Sequence, residues 1–398
     1  MDDTPQRVIC LSVSAGAGHN QAAQAVLAGL KLARPELPTE FIDVMGKVPG
    51  WFRAFYTGGY NVVVTHLPSW YGFGYRLFDR PHTPQRGLSE RVRMCYERFE
   101  MRHLRSYLLS QRPAVVLCTH FLPIPMVGRM IGRGVQGLRL MGVVTDNEAH
   151  RWWYGENVER YFVPNDQVKS SMGRWNIDPQ RITVSGIPVH PKWTAPLDRA
   201  RIYADWQLPA DRPIVMLSGG TFFTVGPTVQ IARGILDRTN ACVVVLAGRN
   251  KQLQADLASF PEAWGGSGDA ASAASSSATG ASCPLPRLKI VPFTDKVHEL
   301  AEVSTVMVTK AGGLTTSECI AKGVAMILTK SVPGQEEANA RMLEAEGAAI
   351  RAEEVDAIIA AVTELLADPA KVASLRANAR RLYHPGTQII VDEVLRTM

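Results

Sequence analysis

The sequence predicts an α/β protein made of two doubly wound halves, each a parallel sheet covered by helices. Short apolar runs alternate with helix-length amphipathic stretches from end to end of the 398 residues. Most of these runs are apolar on both faces, as strands buried inside a parallel sheet are. Glycine-rich turns follow three of the runs and open helices, the arrangement of right-handed βαβ units.

In chain order, strands are expected at 8–13, 115–118, 140–144, 214–217, 242–246, 289–291, 306–308 and 325–328. Helices are expected at 21–32, 89–109, 228–237 and 316–322, with 355–366 and 371–383 near the C-terminus. The alternation stalls at Gly186-Ile187-Pro188-Val189-His190-Pro191-Lys192, which continues to Pro196 with three prolines and no periodicity. A short helical piece at 198–206 follows, and Pro213 introduces a new apolar strand. This predicts one domain over 1–190, a linker over 191–210, a second domain over 211–385 and a C-terminal helix over 386–398. Of the 18 residues 265–282, 16 are Gly, Ala or Ser. Such a segment buries too little apolar surface to offset its ordering entropy, so a flexible loop insertion is expected.

Composition narrows the class. Hydrophobic residues make up 46% and charged residues 20%, a soluble globular balance. No run approaches the roughly 18–20 apolar residues of a membrane span. The start, Met1-Asp2-Asp3-Thr4-Pro5, is acidic and lacks the pattern of a signal peptide. Six cysteines are scattered without a CxxC pair, which predicts buried thiols in a reducing, cytoplasmic setting and neither disulfides nor a zinc site. The net charge of +6 would suit nucleic acid, anionic lipid or phosphorylated ligands. No helix-turn-helix, RRM or zinc-finger pattern appears, so nucleic acid is not expected.

The turns carry the chemistry. Ser14-Ala15-Gly16-Ala17-Gly18-His19-Asn20 lies between the first strand and first helix. Gly16 and Gly18 let a ligand approach the backbone, and a helix N-terminus can face an oxyanion. It is neither a dinucleotide fingerprint nor a P-loop, because it has no third glycine in place and no Gly-Lys-Ser/Thr. An ordinary tight turn remains the alternative. His19 faces the positive end of the helix dipole, which favours the neutral imidazole a general base requires; a ring that merely caps backbone groups is the other reading. Leu217-Ser218-Gly219-Gly220-Thr221 and Lys310-Ala311-Gly312-Gly313-Leu314-Thr315-Thr316-Ser317-Glu318 are the two later turns. Both follow strands whose carboxyl ends are where open α/β sheets bind ligands. Glu318 is expected in the first helical turn, able to accept hydrogen bonds from a ribose diol.

From Lys310 through Glu318, then Ile320–Ile327 and Pro333-Gly334-Gln335-Glu336-Glu337-Ala338-Asn339, the sequence resembles the galactolipid synthases and processive diacylglycerol glucosyltransferases. More distantly it is similar to the lipid-linked N-acetylglucosaminyl transferase of peptidoglycan synthesis. Gly16–His19, Thr145-Asp146 with His150 and Trp153, Gly186–Val189, Gly248-Arg249-Asn250-Lys251 and Pro292-Phe293-Thr294 match in the same order. The resemblance implies a GT-B fold, two Rossmann-like domains facing a central cleft, with the acceptor on 1–190 and a UDP-sugar on 211–385. It places Phe293 by the uracil, Glu318 at the ribose, and Gly312, Gly313 and Thr316 along the diphosphate. Gln335, Glu336 and Asn339 would meet the sugar, and Gly219, Gly220, Thr221 and Arg249 would complete the donor site. It implies inverting transfer with no cofactor and no strictly required metal. Many galactolipid synthases carry an acid where Ser14 stands, and a proline where Ala311 stands. The absent acid makes His19 the expected base, with Asp146 and His150 nearby in reserve.

Residues 51–78 hold ten of the 30 aromatics, among them Trp51, Phe52, Phe55, Trp70, Tyr71 and Phe73. Residues 76–105 hold eight arginines against four acids. Aromatics beside arginines suit a segment lying among lipid headgroups, although a packed core with a solvated arginine face has the same composition. Because enzymes of the resembled family take a lipid acceptor, these residues are expected to bind acceptor and an anionic membrane surface. Up to Pro196 the net charge is +8, and beyond it −2, so the positive excess lies beside the aromatics. A peripheral enzyme on the cytoplasmic, inner face of the cell membrane is therefore expected. The competing functions are a UDP-N-acetylglucosamine 2-epimerase-like enzyme, N-acetylglucosaminyl transfer to a peptidoglycan lipid precursor, and a non-catalytic sugar-nucleotide binder.

Overall fold

The computed structural model describes residues 7–14, 17–54, 101–147, 150–219, 227–264, 287–330 and 335–398. They divide into two compact units. The first comprises 1–191, 332–338 and 384–398, and the second 192–331 and 339–383.

In the first unit, six parallel strands are ordered β2-β1-β3-β4-β5-β6. They are β1 (Val8–Ser12), β2 (Thr39–Asp43), β3 (Val115–Cys118), β4 (Arg139–Val143), β5 (Arg160–Val163) and β6 (Ile182–Val184). The helices of this unit include α1 (Ala17–Ala33), α2 (Gly50–Arg53), α3 (Arg102–Gln111), α4 (Ile124–Gly132) and α5 (Asp166–Gly173). Alternate residues of β1 serve opposite layers. Ile9 and Leu11 join the cluster containing Leu104, Leu108, Met126 and Trp153, while Val8 and Cys10 pack with Val26, Leu30 and the C-terminal helix.

The second unit begins with α6 (Arg199–Asp205) and holds seven parallel strands in the order β13-β12-β11-β7-β8-β10-β9. These are β7 (Ile214–Ser218), β8 (Cys242–Gly248), β9 (Ala263–Trp264), β10 (Leu288–Pro292), β11 (Val306–Thr309), β12 (Ala325–Leu328) and β13 (Ala349–Arg351). Around them lie α7 (Thr228–Arg238), α8 (Lys251–Ala258), α9 (Val297–Val303), α10 (Gly313–Lys322), α11 (Gln335–Ala345), α12 (Val355–Ala367) and α13 (Pro369–Arg381). The unit boundary falls inside α11. Residues 192–210 contain Trp193, buried to 4%, and α6, whose N-cap Asp198 accepts from the Ala200 and Arg201 N–H groups.

Two expected helices start earlier than their apolar periodicity suggests. The first begins at Ala17, which brings Gly18 and His19 into its opening turn. The helix expected at 316–322 begins at Gly313, so Glu318 is its sixth residue and lies in the second turn, not the first. In both places the opening residues, Ala17-Gly18-His19-Asn20 and Gly313-Leu314-Thr315, are too few and too mixed to carry an apolar period. Gly323 ends α10 in the left-handed region at φ +65°, where an L side chain would be strained and Arg380 leaves no room for a Cβ.

The last helix, α14 (Gly386–Thr397), packs in the first unit against α1, with Ile390, Val391 and Val394 buried. Cys10, Cys118, Cys242 and Cys319 are buried free thiols. Among the described residues, no helix is long and apolar enough to cross a membrane.

Candidate active site

Two groups of side chains gather at the carboxyl ends of the two sheets, one in each unit. In the first unit His19, third residue of α1, reaches the ends of β3 and β4. Its Nδ1 lies 3.0 Å from the Thr119 carbonyl oxygen and 2.7 Å from Thr145 Oγ1. A carbonyl oxygen only accepts, so Nδ1 carries the proton, and Nε2 is left with the lone pair. His120 stands edge to face with His19 at 4.8 Å, and its own Nδ1 accepts from the Leu122 N–H at 3.1 Å. Burial first, and then the neighbouring His19, hold His120 well below the usual histidine range, so it stays neutral. A row of rings continues from it through Phe121 (4.2 Å) to Trp152 (5.1 Å) and His150 (4.3 Å).

Asp146 follows β4 and is half-buried. His150 is buried to 3% and caps a short 3-10 turn, with its Nδ1 accepting from the Trp152 N–H at 3.3 Å. Gly18 is half-buried in α1, and Gly16 lies outside the described residues. Ser14, at the position where the resembled family often has an acid, bonds to one. Its N–H donates to Asp43 Oδ1 at 3.2 Å and its hydroxyl to Asp43 Oδ2. Asn20 donates to Ser14 Oγ at 2.9 Å, completing the brace. The carboxylate therefore comes from the end of β2.

The aromatic segment needs one correction. Trp51 is 55% exposed, but Phe52, expected on the acceptor and membrane surface, is 3% exposed and belongs to the core with Met45, Leu104 and Leu108. Neighbouring positions on α2 point to different sides, and Phe52 takes the inward one. Phe55, Trp70, Tyr71 and Phe73 lie outside the described residues.

In the second unit, Phe293 follows β10 with 66% of its surface exposed, and the Arg249 guanidinium lies 4.5 Å over its ring. Gly312 caps α10 without a side chain, so the N–H groups of residues 313–315 have no intrahelical acceptor and face outward as anion donors. Thr316, expected to line a diphosphate, is buried. Its hydroxyl donates back to the Gly312 carbonyl at 2.9 Å, and its N–H to the same oxygen at 3.0 Å. It thus braces the turn while the backbone supplies the donors. Asn339 is 2% exposed and donates Nδ2 to the Ala311 carbonyl at 2.8 Å, while its Oδ1 has no partner among the described residues. Gln335 and Glu336 occupy the first turn of α11. Gly219 is buried directly after β7, and Gly220 and Thr221 lie outside the described residues.

Glu318 is half-buried, and its carboxyl accepts from the Trp193 indole. Burial pushes it up to about 8, against the smaller downward pulls of Lys192 and the Trp193 hydrogen bond. The folded protein thus keeps a proton there that the unfolded chain releases above the ordinary carboxylate range. Stability from this group is full below about pH 4.5 and is lost as pH rises through about 8. Glu318→Gln should therefore gain stability relative to wild type as pH rises from about 5 to 8.5, read as thermal midpoints across that range. A difference between the two proteins that does not change with pH would contradict the burial effect.

Three members of these groups escaped the sequence reading, Asp43, Thr119 and His120, and Thr145 entered it only within the Thr145-Asp146 match, without a role. Thr119-His120 directly follows the strand at 115–118, so the rule that picked out the glycine turns would also have found it. Asp43 ends β2, whose five residues carry only Phe41 and Ile42 as apolar ones between Thr, Glu and Asp, too short an apolar run to mark a strand. Among the described residues, no three His, Cys, Asp or Glu side chains gather to hold a metal ion.

Two doubly wound α/β units, each a parallel sheet covered by helices, are the build of the GT-B fold. Residues 19–189 match the Monogalactosyldiacylglycerol (MGDG) synthase family. Residues 250–385 match the Glycosyltransferase family 28 C-terminal domain. The processive diacylglycerol beta-glucosyltransferase of Bacillus mycoides (strain KBAB4) is 28% identical over 323 residues, 81% of this chain and 77% of the relative. Among solved structures, Acinetobacter baumannii MurG superposes with a TM-score of 0.57 at 15% identity, covering 98% of this chain and 100% of MurG. The UDP-GlcNAc 2-epimerase of Neisseria meningitidis gives 0.58 at 13% identity, covering 98% and 100%. The chain is a GT-B-fold glycosyltransferase related to the processive diacylglycerol glucosyltransferases and MGDG synthases.

Proposed function

We propose that this glycosyltransferase moves a hexose from a UDP-sugar to the hydroxyl of diacylglycerol or a similar membrane lipid, with inversion at the anomeric carbon. The observation that carries the reading is His19, whose Nδ1 is hydrogen-bonded so that Nε2 is free to act as a base. Nε2 takes the proton of the acceptor hydroxyl. The acceptor oxygen forms a bond to the anomeric carbon from the side opposite the leaving group, and the bond to UDP breaks with its electron pair staying on the diphosphate. His19 then returns its proton to water.

The donor residues proposed are those of the second unit, with Gln335 and Glu336 from the first turn of α11, which the unit division assigns to the first unit. The N–H groups at the start of α10 receive the diphosphate and stabilise its growing charge. Phe293, paired with Arg249, offers a face to the uracil, and Glu318 accepts from the ribose hydroxyls. Gln335, Glu336 and Asn339 meet the sugar, where the unpaired Asn339 Oδ1 is an acceptor for a hydroxyl. The enzyme is a UDP-sugar-dependent hexosyltransferase. Its solved-structure likenesses include an epimerase and show the fold alone; the sequence relatives are glucosyltransferases, which favours transfer.

For the acceptor side, the net +8 of residues 1–196, the exposed Trp51 and the exposed Arg102 and Arg105 of α3 support docking on an anionic membrane. Each basic residue near such a surface contributes roughly 1 kcal/mol. The enzyme then works peripherally, on the cytoplasmic face of the cell membrane.

Incubating the protein with several UDP-sugars and a membrane lipid extract, followed by product masses, tests the reading. A hexose added to diacylglycerol is expected; an N-acetylhexosamine on a polyprenyl diphosphate would redirect the acceptor, and free epimerised donor would overturn transfer. In the same assay Glu318→Ala should weaken UDP affinity about fivefold, the size of a net hydrogen bond to a neutral carboxyl. Unchanged affinity would remove the ribose assignment.

A further inference from the structure

We propose that Thr145 and His120 are positioning residues for His19, the first holding the ring in the flip state that leaves Nε2 basic, beside the Thr119 carbonyl that fixes the tautomer, and the second fixing the plane of the ring. The inference rests on the reading of His19 as the base. Thr119 and Thr145 leave adjacent strands, whose pairing of Cys118 with Gly142 sets their spacing. They thereby present a carbonyl and a hydroxyl to the same nitrogen. With the Nδ1 proton committed to the Thr119 carbonyl, the Thr145 hydroxyl at 2.7 Å shares it in a three-centre bond. Two acceptors at one edge of the ring favour this orientation over the ring flipped by half a turn. The flipped ring would place carbon against both oxygens and turn Nε2 away.

His120 fixes the remaining freedom. It is 3% exposed, its Nδ1 is held by the Leu122 N–H, and its ring stands at 81° to that of His19 at 4.8 Å. A ring so anchored is a wall against which His19 cannot swing. Because His120 stays neutral in its buried place, a proton taken from the acceptor resides on His19. Thr145 and His120 touch His19 and act through it.

The test compares Thr145→Val, Thr145→Ser and His120→Asn in the full chain, using diacylglycerol vesicles and UDP-hexose. Thr145→Val keeps the shape and removes the hydroxyl. It should lower kcat about tenfold or more with donor KM within about twofold, and Thr145→Ser should restore kcat to within about threefold. His120→Asn retains an acceptor for the Leu122 N–H but removes the ring, and should also lower kcat about tenfold. Imidazole nitrogen-15 NMR supplies a readout that general damage would not move: neutral His19 should be Nδ1-protonated in wild type, whereas in Thr145→Val the loss of one of two acceptors should admit the flipped ring and with it a share of the Nε2-protonated form. Wild-type kcat in Thr145→Val or His120→Asn would overturn the role of that residue, as would a slowed Thr145→Val with an unchanged tautomer. Should Thr145→Val fold poorly, Thr145→Ala reads the same quantities. A fully active His19→Ala is a different result, and it removes the base reading itself.

Discussion

Replacing His19 by alanine should lower kcat by about 10²–10⁴-fold, the usual contribution of a positioned general base, while leaving UDP affinity within about twofold. The separation is expected because the groups proposed to bind UDP, the start of α10, Phe293 and Glu318, are all in the other unit. An acceptor hydroxyl is a poor nucleophile until its proton leaves, and Nε2 is the free basic atom of a ring whose other nitrogen is held by Thr119 and Thr145. Transfer rates and UDP calorimetry on the same preparation check both halves. Full activity would pass the role to Asp146, half-buried just after β4. His150 suits it less, since its Nδ1 lone pair accepts from the Trp152 N–H.

Deleting residues 386–398 should unfold the first unit. Ile390, Val391 and Val394 of α14 are at most 1% exposed and pack with Val8, Cys10, Val26 and Leu30. At about 1.5–3 kcal/mol for each buried side chain, the three contribute roughly 5–9 kcal/mol, comparable with the total stability of a domain. Polar ties add to this. Thr387 donates to the Val189 carbonyl at 2.7 Å, and Glu393 pairs with Arg160 on β5. Gly386 is pressed against Ser185 and Gly186 so closely that a Cβ would lie 2.8 Å from a carbonyl oxygen. The milder Ile390→Ala should cost about 2–5 kcal/mol, seen as a lower urea midpoint. A deletion variant whose first unit melts as in the full chain would refute this.

The strands that were legible in the sequence are those buried on both faces. The runs at 115–118 and 325–328 coincide with β3 and β12, and those at 8–13 and 306–308 differ from β1 and β11 by one residue. The strands that escaped have polar or short signals. β2 and β13 are edge strands, β6 has three residues, and β5 opens on Arg160, whose charge is met by Glu393 in the fold's last helix. Of the residues proposed for the donor, the glycine turn and Glu318 were read from the turn itself, and Phe293 came only from the resemblance. The partners of Glu318 were not legible, because Lys192 and Trp193 lie far away in the chain.

The sequence by itself determined the α/β class, the alternation of strand and helix, the glycine-opened helix of the second unit and His19 as the candidate base. Those are local properties, written in apolar period, glycine placement and the residue at a helix start. Only the tertiary structure decided which His19 nitrogen is free, that Asp43 supplies a carboxylate to Ser14, that Phe52 is core, and that the last helix completes the first sheet's layer. Each of these depends on residues distant in the chain meeting at a strand end or a sheet face. Hydrogen-bond geometry and burial arise only once the chain has folded.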